Sequence, residues 1–202
     1  FYSYSISGNT WITLAAVPDT TNDSGIMIRN SSDDTIYLTR GRNFTDFYRY
    51  SISGNTWTTL AGIPSIIGYG SQMIRNSSDD TIYLAQGNLS TGFYSYSISG
   101  NTWTTLAVVP GAVRTGAQMI RNSSDNTIYL AAGNDTGFYS YSISGNTWTT
   151  LAVVPIIVGE GAQMLRNGAA DTIYLAAGNA ATGFYSYSIS GNTWTSLAVV
   201  PS

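Results

Sequence analysis

The chain has 202 residues, of which only 9% are charged, and Ser, Thr, Asn and Gly carry most of its polarity. A net charge of −3 and a pI near 4.5 remove the electrostatic footprint of a nucleic-acid binder, and no basic cluster suits an anionic membrane surface. His, Cys and Lys are absent, so all eight basic residues are Arg, and disulfides and thiol chemistry are excluded.

No apolar run approaches the length of a membrane-spanning helix and no signal peptide is visible, so membrane insertion is not expected. The chain opens at Phe1 in mid-repeat, which points to a leader or further repeats beyond it. The segment Phe-Tyr-x-Tyr-Ser-Ile-Ser-Gly-Asn-Thr-Trp recurs five times, from Phe1, Phe47, Phe93, Phe138 and Phe184, at spacings of 45 or 46 residues. A period of this size marks a blade or solenoid array. The divisions it sets are a half unit, 1–18, and four full units, 19–64, 65–110, 111–155 and 156–202.

Each unit reads as four short strands, shown by the copy at 111–155. Ala117 to Arg121 is the first, and the polar run Asn122 to Asn126 turns the chain. Thr127 to Ala131 is the second, β-branched and aromatic. A Gly-Asn loop, Gly133 to Gly137, leads into the alternating strand Phe138 to Ile143. Ser144 to Asn146 turns the chain into Thr147 to Leu151, and Pro155 ends the unit because it has no N–H to donate. Helical periodicity is absent. Four such strands cannot bury both faces alone, so the blades are expected to stack radially as an all-β propeller.

In every copy Tyr and Trp stand seven apart, and a Pro follows seven later: Tyr4, Trp11, Pro18; Tyr50, Trp57, Pro64; Tyr96, Trp103, Pro110; Tyr141, Trp148, Pro155; Tyr187, Trp194, Pro201. This pattern resembles the kelch repeat over essentially the whole chain, and the resemblance implies a propeller with protein partners. The kelch Gly pair is reduced to one Gly (Gly41, Gly87, Gly133, Gly178), preceded by Arg40, Gln86, Ala132 and Ala177. The Gly-x-Thr-Trp tail also resembles the Asp-box of sialidases, but Ile6, Ile52, Ile98, Ile143 and Ile189 stand where the defining Asp belongs. Trp11, Trp57, Trp103, Trp148 and Trp194 are therefore expected to be structural wedges between blades. Arg29, Arg75, Arg121 and Arg166 are expected to pair across the first hairpin turn with Asp34, Asp80, Asn126 and Asp171.

The copies diverge mainly in two loops, one between blades and one between the second and third strands, and strand alternation places both on one face. Loops on a rigid scaffold are the default place for binding. The candidate ligand-binding residues there are Arg40, Arg42, Phe44, Asp46, Arg49, Tyr69, Gln86, Arg114 and Glu160, with the first five expected to crowd one corner. An anionic or glycan ligand would suit that corner.

Without His, Cys or Lys, nucleophilic triads, Schiff bases and N- or S-ligated metals are out of reach. Copper-radical chemistry of kelch-like oxidases is not carried over, and no cofactor is expected. Glu160 is the only Glu, which leaves a carboxylate-dependent glycoside hydrolase as a distant alternative. The pairs Asp33-Asp34 and Asp79-Asp80 could hold calcium weakly, although adjacent turn Asp residues are ordinary turn formers. Seven Asn-x-Ser/Thr sequons, at Asn22, Asn30, Asn43, Asn76, Asn88, Asn122 and Asn134, lean toward an extracellular or cell-surface setting.

The reading is a non-catalytic binding module for a protein or glycan, with a ligand-free repeat scaffold as the alternative. Both ends supply the same outer half of a blade, so they cannot complete one another. A ring would then need more repeats or a second copy as a homo-oligomer.

Overall fold

The computed structural model describes residues 1–29, 34–75, 80–121, 126–166 and 170–200. Asp33 and Asp79, and the sequons at Asn30, Asn76 and Asn122, lie outside them. The leading hairpin pairs β1 (Tyr2–Ser5) with β2 (Thr10–Thr13). Blade one is β3 (Met27–Arg29), β4 (Thr35–Thr39), β5 (Phe47–Ser51) and β6 (Thr56–Thr59). Blade two is β7 (Gln72–Arg75), β8 (Thr81–Ala85), β9 (Phe93–Ser97) and β10 (Thr102–Thr105). Blade three is β11 (Gln118–Arg121), β12 (Thr127–Ala131), β13 (Phe138–Ser142) and β14 (Thr147–Thr150). Blade four is β15 (Gln163–Arg166), β16 (Thr172–Gly178), β17 (Ala181–Ser188) and β18 (Thr193–Ser196). Every sheet is an antiparallel meander in chain order, as propeller blades are.

The seven-residue spacing of Tyr and Trp follows from the register. Tyr96 on β9 lies directly opposite Trp103 on β10, and their rings are 5.0 Å apart. Between them Asn101 takes a left-handed backbone, φ 48°, which Asn tolerates at a turn. The Ser97 hydroxyl accepts the Gly100 N–H at 3.1 Å and tightens the same turn.

The core lies between blades. Phe47, from blade one, meets Tyr96 and Trp103 of blade two edge-on, at 4.9 and 5.2 Å. Phe93 meets Tyr141 and Trp148, and Phe138 meets Tyr187 and Trp194, in the same way. Phe1 of the leading hairpin meets Tyr50 and Trp57. Edge-to-face pairs add about 0.5–1.5 kcal/mol each beyond the area they bury. Burial pushes the phenols of Tyr96, Tyr141 and Tyr187 up to about 12.

Two hydrogen bonds clip each joint shut. The Trp103 indole N–H donates to the Ala61 carbonyl at 2.9 Å, and the Ala61 N–H donates to the Asn101 side-chain oxygen at 2.9 Å. The same clip joins Ala15 to Trp57 and Asn55, Ala107 to Trp148 and Asn146, and Ala152 to Trp194 and Asn192. The Asn oxygen also accepts its own blade's Tyr hydroxyl, as from Tyr96 at 2.8 Å. The Asn of the turn is thus a joint residue, a role that its turn chemistry alone does not reveal.

Two expectations need correction. Trp57, Trp103, Trp148 and Trp194 are partly buried wedges, but Trp11 is 70% exposed because no blade covers its flank. The Asp residues do not take the hairpin Arg as their main partner. Asp80 accepts the Ser99 hydroxyl at 2.6 Å, the Ser99 N–H at 2.9 Å and the Ser97 hydroxyl at 3.0 Å. Three donors of the β9–β10 turn converge on the carboxylate, while Arg75 lies over the ring of Tyr37 in the preceding blade at 5.6 Å. Arg121 over Tyr83 and Arg166 over Tyr129 repeat that placement.

The first strands β3, β7, β11 and β15 lie side by side in succession, and within the described residues β15 does not reach back to β3. The blades form an open arc.

Candidate functional site

Both variable loop families do come together on one face, and backbone hydrogen bonds weave them. Within a blade, the Arg114 N–H of the inter-blade loop donates to the Ala132 carbonyl at 2.8 Å. Between blades, the Asn43, Leu89 and Asn134 N–H groups donate to the carbonyls of Ile67, Val113 and Val158. The retained Gly has a cause here. Gly87 has φ +69°, and a Cβ on it would run into the Ser71 backbone nitrogen. The residue before it has no positive φ in any copy, so Arg40, Gln86, Ala132 and Ala177 can all stand there.

The predicted corner of blade one divides in two. Arg40 stacks on Phe44 with its guanidinium carbon 3.6 Å from the ring centre, pairs with Asp46 at 3.3 Å and donates to the Thr20 carbonyl. Its charge and donors are largely spent inside the loop. Arg42 instead reaches the next blade and donates to the Tyr69 hydroxyl at 2.8 Å, which donates to Asp23 at 3.2 Å. Arg49 is not at the corner at all. It projects from the middle of β5, exposed, on the opposite side from Tyr48 and Tyr50. Nearby, Tyr48 donates to Asp19 at 2.8 Å, and burial together with that carboxylate raises its phenol far above the usual value.

Gln86 is buried, and its amide is fully engaged. Its nitrogen donates to the Ser65 hydroxyl and the Ile66 carbonyl, and its oxygen accepts from Ser90 and Tyr94. It organises the loop from within. Glu160 is exposed, and its backbone carbonyl accepts the Asn179 N–H at 2.7 Å.

Arg114 differs from the other loop arginines. It lines a cleft of about 240 Å³ with Tyr69, Asn88, Leu89, Thr115 and Asn134, between blades two and three. Its Nε is buried without a partner, as that of Arg42 is, but unlike Arg42 it has no other hydrogen bond or ion pair on its side chain among the described residues. A buried guanidinium donor left unpaired is costly and calls for an acceptor. Around it stand a phenol, two carboxamides and a hydroxyl, a donor and acceptor set suited to a polar ligand with a negative group. Sequence reading placed Arg114 among the candidates but drew attention to the Arg40 corner. The useful signal was the pattern between copies, since Gly68 and Gly159 occupy the positions equivalent to Arg114.

No protein-family model matches the chain, and no curated protein matches it. Among solved structures it is similar to one described as "Structure of YjhT", with a TM-score of 0.67 and 17% identity. The match covers 94% of this chain and 68% of that one, and at this identity it concerns the fold alone.

Proposed function

We propose that the chain is a non-catalytic binding module of kelch-like blades, working outside the cell or at its surface, whose loop face takes a protein or glycan ligand. The observation that supports this is the unpaired Arg114 guanidinium in its polar cleft. The favoured ligand carries a carboxylate or another anionic group beside hydroxyls, so that Arg114 takes the charge while Asn88, Thr115 and Asn134 take the hydroxyls. The lack of His, Cys and Lys supports a binding role over catalysis.

Calorimetric titration with glucuronate, and with glucose as the neutral control, tests the reading. Glucuronate should bind more tightly, and Arg114→Ala should weaken it about tenfold or more, the worth of one charged hydrogen bond, with the fold unchanged. Equal binding of both sugars, or an unaffected variant, would remove Arg114 from the site. The ligand-free scaffold is favoured by a different observation, the internal satisfaction of Arg40 and Gln86, and predicts no saturable binding in a broad glycan and peptide screen.

A further inference from the structure

Three of the residues that break the repeat on the loop face come from three different blades. Arg42 stands where the other copies have Asn88, Asn134 and Asn179. Tyr69 stands where they have Asp23, Thr115 and Glu160, and Arg114 where they have Asn22, Gly68 and Gly159. The fold brings all three to one place. Arg42, from blade one, donates to the Tyr69 hydroxyl at 2.8 Å and lies over its ring at 4.9 Å. Beside Tyr69, Gly70 is packed so close to blade three that a Cβ on it would run into the Arg114 carbonyl, and Tyr69 itself lines the cleft with Arg114. Independent drift of three loops gives no reason for its products to meet. The two guanidiniums also share a deficit. Each has a buried Nε without a partner, and neither is in an ion pair among the described residues, whereas Arg40 is neutralised by Asp46. Asp23 accepts the Tyr69 hydroxyl at 3.2 Å and pairs with neither guanidinium.

We infer that the Arg114 cleft, taken as the binding site proposed here, is one of two subsites, and that the ligand is an acidic oligosaccharide. A carboxylate of one sugar lies on Arg114, the anionic group of the next sugar lies on Arg42, and the Tyr69 ring, 39% exposed, stands between them. A single acidic sugar answers only one of the two charges. Anionic groups on linked sugars answer both, and the linkage makes the second contact intramolecular, so it adds affinity without a second cost of association. The Asp23 carboxylate lies beside the second subsite, through Tyr69, and weakens it by repulsion.

Calorimetric titration with glucuronate and with its β-1,4-linked dimer, diglucuronate, provides the test. The wild type should bind the dimer about tenfold or more tightly than the monomer, well beyond the statistical factor of about two for a second sugar. Arg42→Gln keeps a donor for Tyr69 but removes the charge, and should bring the dimer to within about twofold of the monomer. Asp23→Asn should widen the gap instead, because it keeps an acceptor for Tyr69 and removes the opposing carboxylate. A gain of that kind cannot come from a damaged fold. A dimer that binds no better than the statistical factor allows, a gap that Arg42→Gln leaves intact, or one that Asp23→Asn narrows would each overturn the second subsite and leave the Arg114 cleft standing. Failure of both sugars to bind the wild type would remove the cleft itself, and the second subsite with it.

Discussion

Trp103 and Trp11 occupy the same place in the same motif, yet one is wedged into a joint and the other is 70% exposed. Met119 and Met27 repeat the contrast, at 5% and 55% exposed. Burial in this array is therefore not a property of the motif. It is conferred by the adjacent blade, as expected when each repeat touches only its neighbours. Local conformation follows the same rule. In blades one to three the loop after the second strand is held to the next blade by the Asn43, Leu89 and Asn134 N–H groups. Blade four has no such neighbour in the structure. There the turn is the one blade two makes, with Asn179 and Ala180 left-handed as Asn88 and Leu89 are, but Gly178 also pairs with Ala181, and β16 and β17 run on to the turn.

The sharpest way to break the comparison is to truncate both tryptophans. Trp103→Ala should destabilise the chain by about 3–5 kcal/mol, since it empties a packed joint and orphans the Ala61 carbonyl. Trp11→Ala, measured in dilute samples, should stay within about 0.5 kcal/mol of the wild type. Urea unfolding reads both. Equal losses would mean that Trp11 is covered in solution and that the flank is not free.

The Asn residues test the clip apart from the packing. Asn101→Ala removes the acceptor of the Tyr96 hydroxyl and of the Ala61 N–H, and should cost about 1–3 kcal/mol. Asn101→Gly keeps the left-handed turn but not the acceptor, so most of that loss should remain. Asn9→Gly should cost less than Asn101→Gly in the same urea experiment, because Asn9 accepts only from the exposed Tyr4 hydroxyl. If the two Gly variants matched, the bond to Ala61 would contribute nothing.

Much of the fold was legible because the repeat states its own strands. The Tyr–Trp spacing is a register, and the Pro spacing marks where each blade stops. The clip was not legible, because Ala61 and Asn101 lie 40 residues apart and neither type signals a long-range bond. The site was half legible. Divergence between copies located the loop face, but composition could not show that Arg40 is neutralised by Asp46, that Gln86 is buried, or that Arg114 is left unpaired. The first two depend on how the loops of one blade fold on each other, and the third on which loops meet across a blade boundary.

The smallest predicted effect comes from the Asp staples, which blade three supplies with an internal control. Hydrogen bonds from Ser53, Ser99 and Ser190 hold Asp34, Asp80 and Asp171 below the usual carboxylate value of 3.8. Carboxylates held lower in the folded chain than in the unfolded one stabilise it above pH 3.8 and lose that contribution as pH falls through the folded value. Asn126 replaces the carboxylate in blade three and makes the matching contacts with Ser144 without titrating. The urea midpoint should therefore fall on acidification from pH 5 to pH 2, and Asp80→Asn should make the fall shallower. Asn126→Asp should make it steeper, since it adds a fourth staple that protonation can release. All three carboxylates are fully exposed, so each change should be small, and an acid limb identical in all three proteins would show that the staples are too well solvated to matter.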